Sequence, residues 1–173
     1  MNNKKGFTLV ELLGVIVILS IVMLIAIPNI TATLERSKRD QYLVDGKKMI
    51  SLVEYEIRKG EINKPATGKW IKITLKYLAT TDIETDPDGY NYSLTDSYVV
   101  VTRDQNGYLK YYVNLIADHG KDDVESWYGI KLAEKDEFSD DDRYNLIKKN
   151  ITIPSTSDIN LATSGTPSEH PEY

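Results

Sequence analysis

The sequence predicts an α+β protein: one long N-terminal helix packed against a small antiparallel sheet. Three observations predict it. Helical spacing of apolar residues persists for about 50 residues after the first few, through an apolar half and then an amphipathic half. Tyrosine-rich and β-branched runs, "SYVVVTR" and "YLKYYVNLIA", follow in the second half of the chain. The four residues joining them, "DQNG", end in an Asn-Gly pair, a strong hairpin signal.

The helix begins in "GFTLVELLGVIVILSIVMLIAIPNI". From Phe7 to Ile27 there are 21 residues, and Glu11 is the only charged one. As a helix they span roughly 31 Å, enough to cross a hydrocarbon core. Composition alone makes residues 7–30 a membrane anchor, with Glu11 either snorkelling to the headgroups or kept for a partner. Lys4 and Lys5 form a basic start, but no small-residue cleavage site follows a short apolar run, as a secretory signal requires. The small residue Gly6 stands before the apolar run instead. Gly14 and Ser20 suit close helix approach and are also common in membrane helices. Pro28 removes a helical hydrogen bond, which predicts a kink or local unwinding.

Residues 31–60 continue the helix in amphipathic form. Tyr42, Gly46, Met49, Ile50, Val53 and Ile57 make one stripe, while Arg39, Asp40, Lys47, Lys48 and Glu54 take the other faces. Gly60 is the stop. The head, residues 61–153, opens in the loop "GEINKPATGK". "WIKITLKYLATTDIETDPDG" has two readings: Ile71, Ile73, Leu75 and Tyr77 alternate as a strand, while Leu75, Leu78 and Ala79 fit a short helix, the reading preferred. "YNYSL" alternates as a strand, and Leu109, Tyr111, Val113 and Leu115 share one strand face. "SDDDRYNLIKK" reads as a short helix capped by Ser139, with Leu146 and Ile147 as packing residues. The Ser/Thr/Pro-rich tail, residues 154–173, reads as a loose surface segment.

Composition narrows the function classes. The net charge is −5 and the pI about 5.1, which argues against nucleic acid as a partner. With no cysteine, disulfides, thiol catalysis and cysteine-based zinc sites are excluded. No phosphate-binding loop, dinucleotide fingerprint, zinc-protease motif or nucleophile elbow occurs, so no catalytic residue is assigned and the chain is not expected to be an enzyme. His119 and His170 are the only histidines, and both read as surface residues. In "ETDPDG", Glu84, Asp86, Asp88 and Gly89 have EF-hand-like spacing, but Thr95 stands where the loop needs its bidentate glutamate, so an EF-hand is rejected. Charge is uneven: residues 58–76 carry six basic side chains against Glu61, and residues 118–142 carry ten acids against three lysines. These are either solvated faces or complementary patches for a head-to-tail contact.

"KKGFTLVELL" followed by Pro28 resembles the N-terminus of type IV pilins and type II secretion pseudopilins. The resemblance covers about 25 residues and leaves the rest of the chain open. It implies a leader, residues 1–6, cut between Gly6 and Phe7 by a prepilin peptidase that also N-methylates Phe7. It puts Glu11 at the fifth mature position, where the family carries a glutamate, and Pro28 at the twenty-second, where many pilins carry a proline. It implies no cofactor, beyond the calcium some pseudopilins hold near a comparable Asp-Pro turn, which would fall on Asp82, Asp86 or Asp88. The other reading of those residues is a plain turn. The implied function is a structural subunit of an extracellular pilus serving adhesion, surface motility or aggregation. The alternatives are a pseudopilin of a secretion or competence system, and a single-span membrane protein with a ligand-binding ectodomain. The implied partners are other copies in a helical homopolymer, the peptidase, the pilus assembly machinery and, before assembly, the membrane. Cleavage would create a cationic amine at Phe7, which Glu11 of a neighbouring chain could neutralise in a dry bundle. A helix of this length, half bare and half docked, suits a filament subunit.

Overall fold

A computed structural model of the chain describes residues 6–78, 82–119, 127–139, 141, 143–149, 151–163 and 165–172, the side chains of 118, 127, 149, 162 and 169–172 excepted. It divides into two units, Met1–Ser37 and Lys38–Tyr173. Helix α1 (Leu9–Lys59) supplies the first unit and opens the second.

In the first unit the large apolar side chains from Phe7 to Ile30 are exposed, and α1 is the one described helix long and apolar enough to cross a membrane. Helical assignment runs through Pro28, so the unwinding expected there is absent. Nearby side chains lend donors to the backbone carbonyls of this stretch. Asn29 Nδ2 donates to the Ile25 carbonyl (3.2 Å), Thr31 Oγ1 to Ile27 (3.1 Å) and Thr33 Oγ1 to Asn29 (2.9 Å).

In the second unit the predicted stripe is the buried face of α1. Tyr42, Leu43, Gly46, Met49, Ile50, Val53 and Ile57 are buried, and Gly60, at φ 89°, ends the helix. The sheet has strands β1 (Lys69–Thr74), β2 (Tyr98–Arg103), β3 (Leu109–Asp118), β4 (Trp127–Glu134), β5 (Ile147–Lys149) and β6 (Thr166–Glu172), in the order β5-β4-β3-β2-β1-β6. All described pairings are antiparallel except β1 with β6. One face packs on α1 through Ile71, Ile73, Val99, Val101, Val113, Leu115, Ala117 and Ile130, with Leu109 and Tyr111 at its margin, as the alternation predicts. The opposite face buries a smaller cluster of Trp70, Tyr98, Val100, Tyr112 and Ile159. The β2–β3 turn forms at Asn106-Gly107, with Gly107 at φ 90°. Asp104 Oδ1 holds it by accepting the backbone N–H groups of Asn106 (2.9 Å) and Tyr108 (2.8 Å).

Four expectations are corrected. The segment after Gly68 is first a strand: five residues of β1 pair with β2, and only Leu75–Leu78 make one turn of helix (α2). Cross-strand pairing of Ile71 and Ile73 outweighs the local preference. "YNYSL" makes isolated bridges at Asn91 and Tyr92 rather than a strand, because Ser93 and Asp96 bond to each other and turn the chain. "SDDDRYNLIKK" yields a single turn (α3, Arg143–Leu146), after which Ile147 pairs with Ile130. Ser139 lies four residues ahead of that turn, Asp140 and Asp142 lie outside the described residues, and Leu146 and Ile147 do pack on the core. The tail forms α4 (Thr156–Thr163) and β6. Ser155 caps α4: its backbone N–H donates to Asp158 Oδ2 (2.9 Å), and its Oγ accepts from the Asp158 N–H (3.4 Å).

Strand β4 was not foreseen, and Gly129 shows why. Here β3 and β4 come together across a register shift, and a Cβ at Gly129 would stand 2.0 Å from the Leu115 carbonyl oxygen. A glycine and a bulge break the alternation that marks a strand. Gly129→Ala should therefore cost more than about 4 kcal/mol of head stability, a backbone clash rather than a side-chain adjustment. Thermal unfolding of the detergent-solubilised chain, followed by tryptophan fluorescence, checks this. A melting temperature within a few degrees of the parent would contradict it.

Candidate functional site

The N-terminal residues of the first unit carry the sequence-predicted site. Phe7 is 86% exposed, Thr8 stands immediately before α1, and Glu11 is the third helical residue. Glu11 Oε2 accepts from the Thr8 backbone N–H and from Thr8 Oγ1, both at 2.8 Å, and Thr8 Oγ1 accepts from the Glu11 N–H at 3.2 Å. This is a capping box. It satisfies two helix-end donors and anchors the carboxylate at the positive end of the helix dipole. The Thr-x-x-Glu spacing that encodes it is legible in "TLVE" but was not read from the sequence. Glu11 Oε1 has no hydrogen-bond partner among the described residues, so one oxygen stays open to an outside cation.

Gly6 and Gly14 have no atom within 4 Å of where a Cβ would stand. Nothing in the fold of this unit demands a small residue at either position. Ser20 Oγ donates to the Ile16 carbonyl at 2.7 Å, so this hydroxyl can enter an apolar medium already bonded.

With this geometry in place, comparison with protein families adds one finding for the segment. Residues 1–27 fit the family model of the prokaryotic N-terminal methylation motif. The N-terminus is a prepilin-type methylation signal. No curated protein and no solved structure matches the chain. The methylation signal supports a type IV pilin-like or pseudopilin protein and implies processing by the prepilin peptidase. The apolar part of the signal, held in helix, fits membrane anchoring before assembly. Residues 1–5 of the leader, Lys4 and Lys5 among them, lie outside the described residues.

Of the three aspartates named for calcium, Asp86 and Asp88 lie together with His119, and Asp82 is outside that group. The backbone carbonyl of Asp82 accepts from Lys48 Nζ at 3.5 Å, and Asp88 pairs with Lys38. Asp86 is buried beneath α1. Its Oδ1 accepts the backbone N–H groups of Asp88 and Tyr90, both at 2.9 Å; its Oδ2 accepts the Tyr42 hydroxyl at 2.5 Å and lies 2.5 Å from His119 Nε2. His119, read as a surface residue, is half-buried and stacks on Tyr90 with centroids 4.3 Å apart. His170 lies in β6, with its side chain outside the description. Asp86, Asp88 and His119 do place ligand atoms within 4.8 Å of one another, but four partners already occupy the Asp86 carboxylate. The arrangement is a brace that ties the 86–90 turn and the end of β3 to α1.

Asp45, one turn along α1, is the second acid buried under this brace. It accepts from the Tyr92 hydroxyl (3.0 Å) and from Gln41 Nε2 (2.9 Å). Burial raises its pKa above the ordinary carboxylate value, more than these hydrogen bonds and Lys48 lower it. Burial and the neighbouring carboxylates likewise push the Tyr42 and Tyr92 hydroxyls far up, so both stay protonated donors. The folded head thus binds the Asp45 proton more tightly than the unfolded chain does. Its contribution to stability is greatest at acid pH and is lost as pH rises through the raised value. Asp45→Asn should remove that slope. Melting temperatures measured from about pH 4 to 7 should fall less for the variant than for the parent; parallel curves would show that Asp45 does not titrate in this window.

Proposed function

We propose that the chain is a structural subunit of an extracellular type IV pilus, serving adhesion, surface motility or aggregation. The observation that carries this is an apolar helix with no cover of its own, beginning at a methylation signal and leading into a separately packed head. Before assembly, lipid covers the helix. In the fibre, helices of other copies do. Seventeen large apolar side chains between Phe7 and Ile30 are exposed, and they need one cover or the other.

Glu11 fits both settings. In the membrane its carboxylate sits near the helix end, bonded to Thr8. In the fibre the open Oε1 meets the methylated amine of Phe7 from an adjoining chain. A head built on six strands with an aromatic-rich core supports a fibre exposed to the surroundings, which favours a pilus over a secretion pseudopilus.

Processing is checked first. The assembled chain should begin at a methylated Phe7, and Gly6→Leu should leave the leader attached while the fold is unchanged, since no neighbour contacts Gly6. Intact mass decides it, and an assembled chain that still begins at Met1 would refute the processing step. Glu11→Val addresses assembly. The variant should insert normally, because the segment only becomes more apolar. Surface filaments should be lost, because an unmatched buried amine costs about 3 to 5 kcal/mol per subunit. Membrane-fraction and sheared-filament yields measure the two steps separately. Normal filament yield from Glu11→Val would sink the pairing.

A further inference from the structure

The outer face of the sheet cannot stand bare. Trp70, Tyr98, Val100 and Tyr112 lie on it and are buried, and what covers them is the segment 155–172: helix α4 lays Ile159 on the cluster, and β6 closes the open edge of β1. This cover fits loosely. The β6–β1 pairing is the only parallel one among the described strands. Its register runs Lys69↔Thr166 and Trp70↔Pro167, then slips to Lys72↔Glu172. Two of its seven residues, Pro167 and Pro171, lack the backbone N–H a ladder needs. The Tyr98 hydroxyl is sealed beneath with no hydrogen-bond partner among the described residues, a defect that a matched interface avoids. Leu161 of α4 is 82% exposed. Among the described residues, the anchors besides the paired positions of β6 are Ile159 and one bond from Trp70 Nε1 to the Gly165 carbonyl at 3.0 Å.

We propose that segment 155–172 is an exchangeable strap, and that in the assembled fibre it covers the outer sheet face and β1 edge of a second copy of this chain. The inference rests on the filament reading. A strap laid in trans makes the contacts it makes in cis, so exchange alters little but the path of the residues that lead into it. What selects between the two is local concentration. Dispersed chains close on themselves, whereas heads tethered side by side reach effective concentrations of order millimolar. The strap would then stitch subunits together outside the apolar core.

The natural chain has no cysteine, which makes the test clean. Two full-length variants, Lys69→Cys and Thr166→Cys, are produced together, and the sheared filaments are oxidised and analysed by peptide mass spectrometry. Exchange brings position 69 of one chain beside position 166 of another, within disulfide reach. The expected result is a 69–166 bond between chains, exceeding the 69–69 and 166–166 bonds that random encounters give. A companion chain carrying both cysteines should form a covalent ladder in filaments and an intrachain bond when dispersed in detergent at low concentration. Filaments in which the double variant closes only on itself, with no mixed bond, overturn the exchange and leave the filament reading standing. If the parent chain makes no filaments, that reading fails by itself. The same mixed-bond assay on detergent-dispersed chain at high concentration then decides the exchange, and absence of the bond there overturns it.

Discussion

The structure turns on an apolar segment that stands exposed in the first unit. Seventeen large hydrophobic side chains from Phe7 to Ile30 are exposed in the first unit. At about 1.5 to 3 kcal/mol for each one buried, the unmet burial amounts to tens of kcal/mol, more than the net stability of an ordinary domain. Such a segment suits membrane anchoring, which the methylation signal also fits. The backbone obeys the same constraint: helix satisfies its polar groups internally, and Ser20, Asn29, Thr31 and Thr33 turn their side chains back onto helix carbonyls.

Glu11 is the one group for which neither medium is neutral ground. A carboxylate with all its acceptor positions open would resist both lipid and a helix bundle. Thr8 removes half the problem by donating twice to Oε2, which also fixes where the carboxylate points. The remaining oxygen is then directed and unspent. On the proposed pairing, recognition by a cation from another chain would need no rearrangement of this helix end.

Sequence legibility followed the range of the interactions. The methylation signal is linear and was read residue by residue. The buried stripe of α1 and the β2–β3 hairpin were readable because periodicity and Asn106-Gly107 are local. Strand β4 was hidden by Gly129, whose reason is the Leu115 carbonyl fourteen positions earlier. Strand β6 was hidden by its prolines and polar composition, which describe an edge strand as well as they describe a loose tail. The Asp86–His119 contact spans 33 residues and has no signature at all. Ser155 to Asp158 and Thr8 to Glu11 are different: both capping boxes were in plain sight as short spacings and needed only to be looked for.

The second unit makes its own boundary at the point where α1 joins it. Five consecutive residues carry the polar anchors. Lys38 pairs with Asp88, Arg39 donates to the Ile147 carbonyl at 2.6 Å, Asp40 pairs with Arg143 at 3.0 Å, Gln41 bonds Asp45, and Tyr42 bonds Asp86. Four of these reach a loop, a strand or a helix turn elsewhere in the head, so the first two turns of docked helix are fixed from several directions. On the filament reading proposed above, the apolar half would pass from lipid to protein, which suits a folded half held by bonds of its own. Anchors concentrated in these turns fix the start of the second unit through its own residues, Lys38 to Tyr42.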